Sequence, residues 1–394
     1  MSETKDIFKF SDRITNLPPY LFAKLDKIKQ EEIRKGRKLI SLGMGDPDQP
    51  TPEFIIESMK KALENPKNHS YPSYPGKIEF RKTVAKWYQN RFGVGLNAES
   101  EVLTLIGSKE GIAHLPLAFL NPGEATLVPD PAYPVYDSGT LFAGGVPLHF
   151  SLRKENSFLP DFSELERLVK IGPRVRILFL NYPNNPTGAT ATIEVFKETV
   201  KFAKKHDLIV CHDNAYSEIY FDQKKQPSFL EVPGAKEIGC EFHSLSKTFN
   251  MTGWRVGFVV GHPRIIEGLG QVKTRIDSGV FNAVQEAGIT ALENSEPFCT
   301  KMRSLYQERR DVLVPALRKL NLKCQNPEAS FYVWAELPEK TKSEEFCLNM
   351  IYNHGVICTP GVGFGDQGEG FVRFTLCSDV SVLKQVAEIL KASI

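Results

Sequence analysis

Ser244-Leu245-Ser246-Lys247-Thr248-Phe249-Asn250-Met251-Thr252-Gly253-Trp254-Arg255-Val256-Gly257 places one lysine among hydroxyl side chains and an arginine eight residues downstream, flanked by glycines. A lysine that forms a Schiff base with an aldehyde cofactor needs this setting. Its amine does the covalent chemistry, while the hydroxyls and the guanidinium hold a phosphate that anchors the cofactor. Most lysines are plain surface residues, but that reading leaves the clustered Ser, Thr, Gly and Arg unexplained. If the stretch binds a cofactor, the strands around it must deliver matching groups.

Working outward, six short apolar runs read as strands: Glu101 to Ile106, Ala125 to Val128, Val175 to Leu180, Leu208 to Cys211, Cys240 to Ser244 and Val256 to Val260. Amphipathic helical patterns separate them. Near-continuous apolar strands alternating with helices predict an α/β fold with a mostly parallel sheet covered on both faces. Ligands bind beyond the carboxyl ends of such strands, and each run leads into polar residues. Leu208–Cys211 continues into His212-Asp213-Asn214-Ala215-Tyr216. An aspartate here can pair with a pyridinium nitrogen and keep it protonated, against the alternative of a helix N-cap. Val175–Leu180 runs into Asn181-Tyr182-Pro183-Asn184-Asn185-Pro186-Thr187-Gly188. There Asn185 can donate to a phenolic oxygen of the same ring, as can Tyr216, against a plain Asn-Pro turn. The first run leads to Gly107-Ser108-Lys109 at a helix start, a backbone anion site. The second leads to Asp130-Pro131-Ala132-Tyr133, whose tyrosine can stack on the ring.

The C-terminal part carries Gly361-Val362-Gly363-Phe364-Gly365 and then Phe371-Val372-Arg373-Phe374. The glycine run is a turn, since its spacing is wrong for a dinucleotide fingerprint. An arginine inside an apolar strand is costly unless paired, and a substrate carboxylate gripped by both nitrogens is the partner this chemistry favours over a structural salt bridge. A single helical pattern runs from about 286 to 320. At the other end, Asn16-Leu17-Pro18-Pro19-Tyr20 predicts a rigid turn leading into a helix over 21–35.

The bulk numbers fit this picture. At 394 residues, 41% hydrophobic and 24% charged, the chain is long enough for two globular domains. A net charge of +2 gives no reason to expect nucleic acid or an anionic membrane as partner. Seven cysteines without a C-x-x-C pair read as reduced core thiols. The eight histidines show no metal-ligand spacing. The N-terminal residues contain no apolar signal core, so a cytoplasmic protein is expected.

The lysine stretch, the strand-end residues and their order resemble the fold-type-I, class I/II pyridoxal-phosphate-dependent aminotransferases over essentially the whole chain. The resemblance implies an arm and part of a small domain over 1–48, a large cofactor-binding domain over 49–288 and a C-terminal small domain over 289–394. It implies Lys247 as the Schiff-base lysine and proton shuttle, Asp213 as the pyridinium partner, and Asn185 and Tyr216 at the phenolic oxygen. Tyr133 is implied as the stacking ring, and Ser108, Lys109, Ser244 and Arg255 fall at phosphate-binding positions. Tyr71, in Ser70-Tyr71-Pro72-Ser73-Tyr74-Pro75-Gly76, matches a tyrosine that crosses a dimer interface to the neighbour's phosphate, which makes a homodimer the expected unit. Within the family the chain is most similar to the group acting on LL-2,6-diaminopimelate with 2-oxoglutarate. Leu17-Pro18-Pro19-Tyr20, Leu42-Gly43-Met44-Gly45-Asp46, Phe281-Asn282 and the Thr359 to Gly365 run carry that likeness. By position Tyr20, Gly45, Lys109, Tyr133, Asn185, Asn282 and Arg373 would contact substrate. The chain departs from the group at Pro47-Asp48 and at Ala283. Substrates of related enzymes (alanine, aspartate, aromatic amino acids) remain the alternative, and beyond them a carbon–sulfur lyase.

Overall fold

The computed structural model describes residues 8–17 and 21–391. The expected Pro18-Pro19 turn and Tyr20 lie outside them. Thirteen strands are described: β1 (Ile40–Ser41), β2 (Val102–Leu105), β3 (Ala125–Asp130), β4 (Val146–Ser151), β5 (Val175–Asn181), β6 (Ile209–Asp213), β7 (Gly239–Ser244), β8 (Gly257–Gly261), β9 (Lys323–Cys324), β10 (Tyr332–Glu336), β11 (Val356–Ile357), β12 (Thr359–Pro360) and β13 (Phe371–Thr375).

Seven of them form one sheet in the order β2-β8-β7-β6-β5-β3-β4. Strand β8 runs antiparallel to both neighbours, and the other pairings are parallel. The central strands are buried along nearly their whole length, as expected of a sheet with helices on both faces. Two apolar cores result. One joins Phe80, Val84 and Tyr88 of the helix Ile78–Phe92 to Leu178, Leu180 and Val210. The other joins Ile112 and Leu115 of the helix Ser108–Phe119 to Ile177, Phe179 and Cys211. Odd and even residues of β5 thus face opposite cores, the period-two alternation of a strand.

The carboxyl ends of β3, β5, β6 and β7 lie on one edge of the sheet. There the strands finish at Asp130, Asn181, Asp213 and Ser244. Strand β4, absent from the sequence expectations, is the outer edge strand, and its Val-Pro-Leu-His-Phe-Ser composition is half exposed.

The N- and C-terminal segments pack together. Strand β1 pairs in parallel with β11, and an antiparallel sheet in the order β12-β13-β10-β9 lies beside them. Leu42 shares a third core with Val333, Val356 and Val372. Arg309, fully buried, donates through Nη1 and Nη2 to the two carboxylate oxygens of Asp48 at 2.6 and 2.7 Å, tying the N-terminal loop to the long helix Ser295–Lys319.

One expectation needs correction: the single helix over 286–320 is two, Asn282–Glu293 and Ser295–Lys319. Asn294 breaks the run, its Nδ2 donating to the Thr290 carbonyl at 2.9 Å. Pro297, which has no N–H, then sits in the first turn of the second helix, where none is needed. Among the described residues no helix is long and apolar enough to cross a membrane.

Candidate active site

A cavity of about 310 Å³ opens beyond the carboxyl ends of β5, β6 and β7 and is closed from the other side by residues of the smaller sheets. Its wall includes Gly45, Ser108, Lys109, Tyr133, Asn185, Asp213, Tyr216, Ser244, Lys247, Arg255 and Arg373, all singled out in the sequence. They come from segments up to about 330 residues apart in sequence, as in the bond between Arg373 and Gly43.

Lys247 stands on the short helix Leu245–Thr248 directly after β7. Its Nζ donates to the Gly45 carbonyl at 2.7 Å, and burial lowers its pKa, favouring the neutral amine. Asp213 ends β6 with its side chain 5% exposed. Its Oδ2 accepts from the Tyr136 hydroxyl at 2.9 Å, while its buried Oδ1 has no hydrogen-bond partner. Burial raises the Asp213 carboxyl to about 6, against the pull of the Tyr136 hydrogen bond and of His212. A buried carboxylate oxygen left without a donor costs about 1–3 kcal/mol or more. A donor entering the cavity relieves that cost.

The other end of the cavity suits an anion. Gly107 caps the helix Ser108–Phe119 at φ +78°, so the first N–H groups of that helix head a 12-residue dipole. A Cβ on Gly107 would meet the Arg255 guanidinium, with Cζ at 3.0 Å. Arg255 is itself left-handed at φ +54°, and its Nη1 donates to the Thr252 carbonyl at 2.9 Å. The Ser244 hydroxyl accepts from the Ser246 N–H at 3.2 Å. Lys109 lies with Nζ 5.6 Å from the centre of the Tyr133 ring, and burial followed by the nearby Arg255 charge lowers its pKa.

Arg373 is 3% exposed in β13. It donates to Asn185 Oδ1 at 2.6 Å and to the Gly43 carbonyl at 2.7 Å, and lies 4.3 Å from the Tyr332 ring centre and 4.6 Å from that of Phe364. With Oδ1 committed to Arg373, the donor Asn185 has to offer is its amide nitrogen. The Tyr216 hydroxyl meets that of Tyr332 at 3.0 Å, and burial, then Tyr332, pushes the Tyr216 phenol well up, so it stays a donor. A Cβ on Gly45 would overlap the Tyr332 hydroxyl; only glycine lets this loop approach the ring.

Two sequence-singled residues do not line this cavity. Tyr71 is 87% exposed, and Asn282 donates its Nδ2 to the Ser70 carbonyl at 3.3 Å beside it. Tyr20 lies outside the described residues. Sequence reasoning passed over Tyr136, Asn181, Ser246 and Tyr332, which touch or line the site. Asn181 closes a strand already identified, and its position alone could have marked it. Tyr332 sits in a strand whose apolar neighbours masked it.

A phosphorylated pyridine aldehyde fits these walls. The partnerless Asp213 Oδ1 suits the ring N–H, the Gly107–Arg255 cradle suits the phosphate, and Lys247 lines the same cavity.

The chain matches the aminotransferase class I and II family over residues 37–390. It is 53% identical over 385 residues to a protein of Aquifex aeolicus named LL-diaminopimelate aminotransferase, covering 98% of this chain and 99% of that one. It is 52% identical to a protein of the same name from Maridesulfovibrio salexigens, covering 96% and 97%. A solved structure described as substrate-bound BacF from Bacillus subtilis superposes with a TM-score of 0.93 at 35% identity, covering 98% of each chain.

Proposed function

The chain belongs to the class I and II aminotransferases, and from that premise we propose that it moves the amino group of LL-2,6-diaminopimelate to 2-oxoglutarate, a step of lysine biosynthesis. The observation that carries the chemistry is the buried, partnerless Oδ1 of Asp213 on the wall that also holds Lys247. The substrate rests on identities of 50% and above to relatives of that name along nearly the whole chain.

Pyridoxal phosphate, when bound, supplies an aldehyde that takes up the donor's amine and a protonated ring that stores the electrons of the broken Cα–H bond. The protein's residues do the rest. Asp213 Oδ1 accepts from the ring nitrogen and keeps its proton in place. Asn185 and Tyr216 donate to the phenolic oxygen, Tyr133 stacks on the ring, and Ser108, Lys109, Ser244 and Arg255 hold the phosphate. Arg373 takes the α-carboxylate of donor and acceptor alike, with Gly45 and Lys109 beside it. Lys247 Nζ, made less basic by burial, would take the proton from the donor's Cα and deliver it to the former aldehyde carbon of the cofactor, across the transferred nitrogen; in the second half it would do the reverse.

Tyr71 and Asn282 lie outside their own cavity and together. In this reading they complete the site of a second copy, so the working unit is a homodimer, in the cytoplasm. The test is a steady-state assay of the cofactor-loaded protein with LL-2,6-diaminopimelate and 2-oxoglutarate. Glutamate forms with wild type and falls by at least about 10⁴-fold with Lys247→Ala, the loss expected on removing nucleophile and base together. No glutamate from wild type, or wild-type turnover in the variant, would overturn the assignment.

A further inference from the structure

Behind Asp213 lies a buried cluster that the mechanism above does not use. Glu241, 0% exposed on β7, has six polar atoms within 3.0 Å. The Tyr88 hydroxyl (2.7 Å), Asn214 Nδ2 (3.0 Å) and His243 Nε2 (2.7 Å) meet Oε1. His212 Nδ1 (2.8 Å), the Ser228 hydroxyl (2.9 Å) and the Phe229 N–H (2.8 Å) meet Oε2. The Phe229 N–H and the Asn214 amide can only donate here; the Tyr88 and Ser228 hydroxyls also meet each other at 2.6 Å, which takes one of their two protons and leaves up to five donors for the carboxylate. A protonated Oε2 would give up a lone pair that this set of donors occupies, so the carboxylate form is the one that fits. Burial opposes ionisation of Glu241, yet its hydrogen bonds from His212 and His243 hold the carboxyl well below the usual range.

The state of Glu241 fixes that of His212. The Nε2 of His212 is 3.0 Å from the Tyr182 carbonyl, which only accepts, so Nε2 carries a proton. Its Nδ1 faces an ionised carboxylate and carries one too. His212 and Glu241 are direct cross-strand partners in register and project to the same face of the sheet, whereas Asp213, the next residue, projects to the opposite face, toward the cavity. The charges then alternate through the sheet: Glu241 negative, His212 positive, Asp213 negative and, on the proposed function above, a cationic ring nitrogen beyond.

We propose that Glu241 is a positioning residue of the catalytic centre, holding His212 as a buried imidazolium behind Asp213 so that this aspartate stays ionised toward the cofactor's ring nitrogen. The other titratable groups facing the set are Tyr88 from the helix Ile78–Phe92, His243 on β7, Glu231 beside Ser228, and Tyr136, which donates to Asp213. Of these only Glu231 is a carboxylic acid, and its Oε1 accepts from the Ser228 N–H at 2.7 Å, so among the described hydrogen bonds Glu241 is the carboxylate that meets His212.

Glu241→Gln and His212→Gln test this. Each removes the cation, so each should weaken pyridoxal phosphate binding, move the acid limb of kcat/KM to higher pH by about one unit, and lower kcat about tenfold with little change in KM. Loss of packing alone would lower thermal stability and leave the pH limb in place, and an unmoved limb in both folded variants overturns the proposal. A neutron structure of the cofactor-loaded wild type reads the protonation directly, whatever the variants do. Deuterium on both ring nitrogens of His212 and none on Glu241 is expected; deuterium on Nε2 alone overturns it. A protein that binds no pyridoxal phosphate at all would instead overturn the proposed function.

Discussion

Burial holds the Asp213 carboxyl at about 6 against an ordinary 3.8. Between those pH values the folded, cofactor-free protein binds a proton that the unfolded chain has lost. Stability therefore falls as pH rises from about 4 to 6, by about 3 kcal/mol for this one group. Asp213→Asn removes the charge but keeps the shape. The cofactor-free variant should be more stable than wild type at pH 7, by about 1–3 kcal/mol in urea unfolding, with the gap closing toward pH 4. Equal stability at both pH values would mean that Asp213 is not held against its ionisation. At this scale the sequence was most legible where a polar residue ends an apolar strand, as Asp213 and Ser244 do. It was least legible for Tyr332 and Tyr136, because a buried tyrosine reads as core unless its hydroxyl's partner is known.

Among the elements, strands buried on both faces announce themselves as unbroken apolar runs, and so β2, β3, β5, β6, β7 and β8 were all expected within a few residues. The edge strand β4 carries Pro147 and His149 and is half exposed, so it lacks that signal. The pair of helices around Asn294 read as one because the apolar periodicity continues through the break. Asp48, one of the departures from the diaminopimelate group, is taken up by the buried Arg309, so its role here is to fasten the N-terminal loop. The helix start at Ser108 gives a sharper test. Alanine at Gly107 forces a side chain into φ +78°, ψ 153° and against the Arg255 guanidinium, costing about 1–3 kcal/mol in backbone strain. Gly107→Ala should weaken pyridoxal phosphate binding about tenfold or more, measured by equilibrium dialysis, while Tm falls only slightly. Unchanged affinity would show that the phosphate sits elsewhere.

For the whole molecule, the informative fact is which distant parts meet. Strand β1 pairs with β11, Gly43 accepts from Arg373, and Lys247 donates to Gly45. The chain's two ends therefore build one side of a cavity whose other side comes from the middle. Periodicity alone does not reveal this meeting, because pairing across about 300 residues leaves no local trace. The amino donor is read by a single-turnover absorbance scan of the pyridoxal-phosphate form, mixed without acceptor with LL-2,6-diaminopimelate, glutamate, aspartate, alanine and phenylalanine in turn. Rapid loss of the cofactor's visible band is expected with LL-2,6-diaminopimelate and glutamate, and slow change with the other three. Rapid reaction with aspartate, alanine or phenylalanine while LL-2,6-diaminopimelate stays inert would contradict the proposed function, as would release of ammonia with the starting spectrum restored.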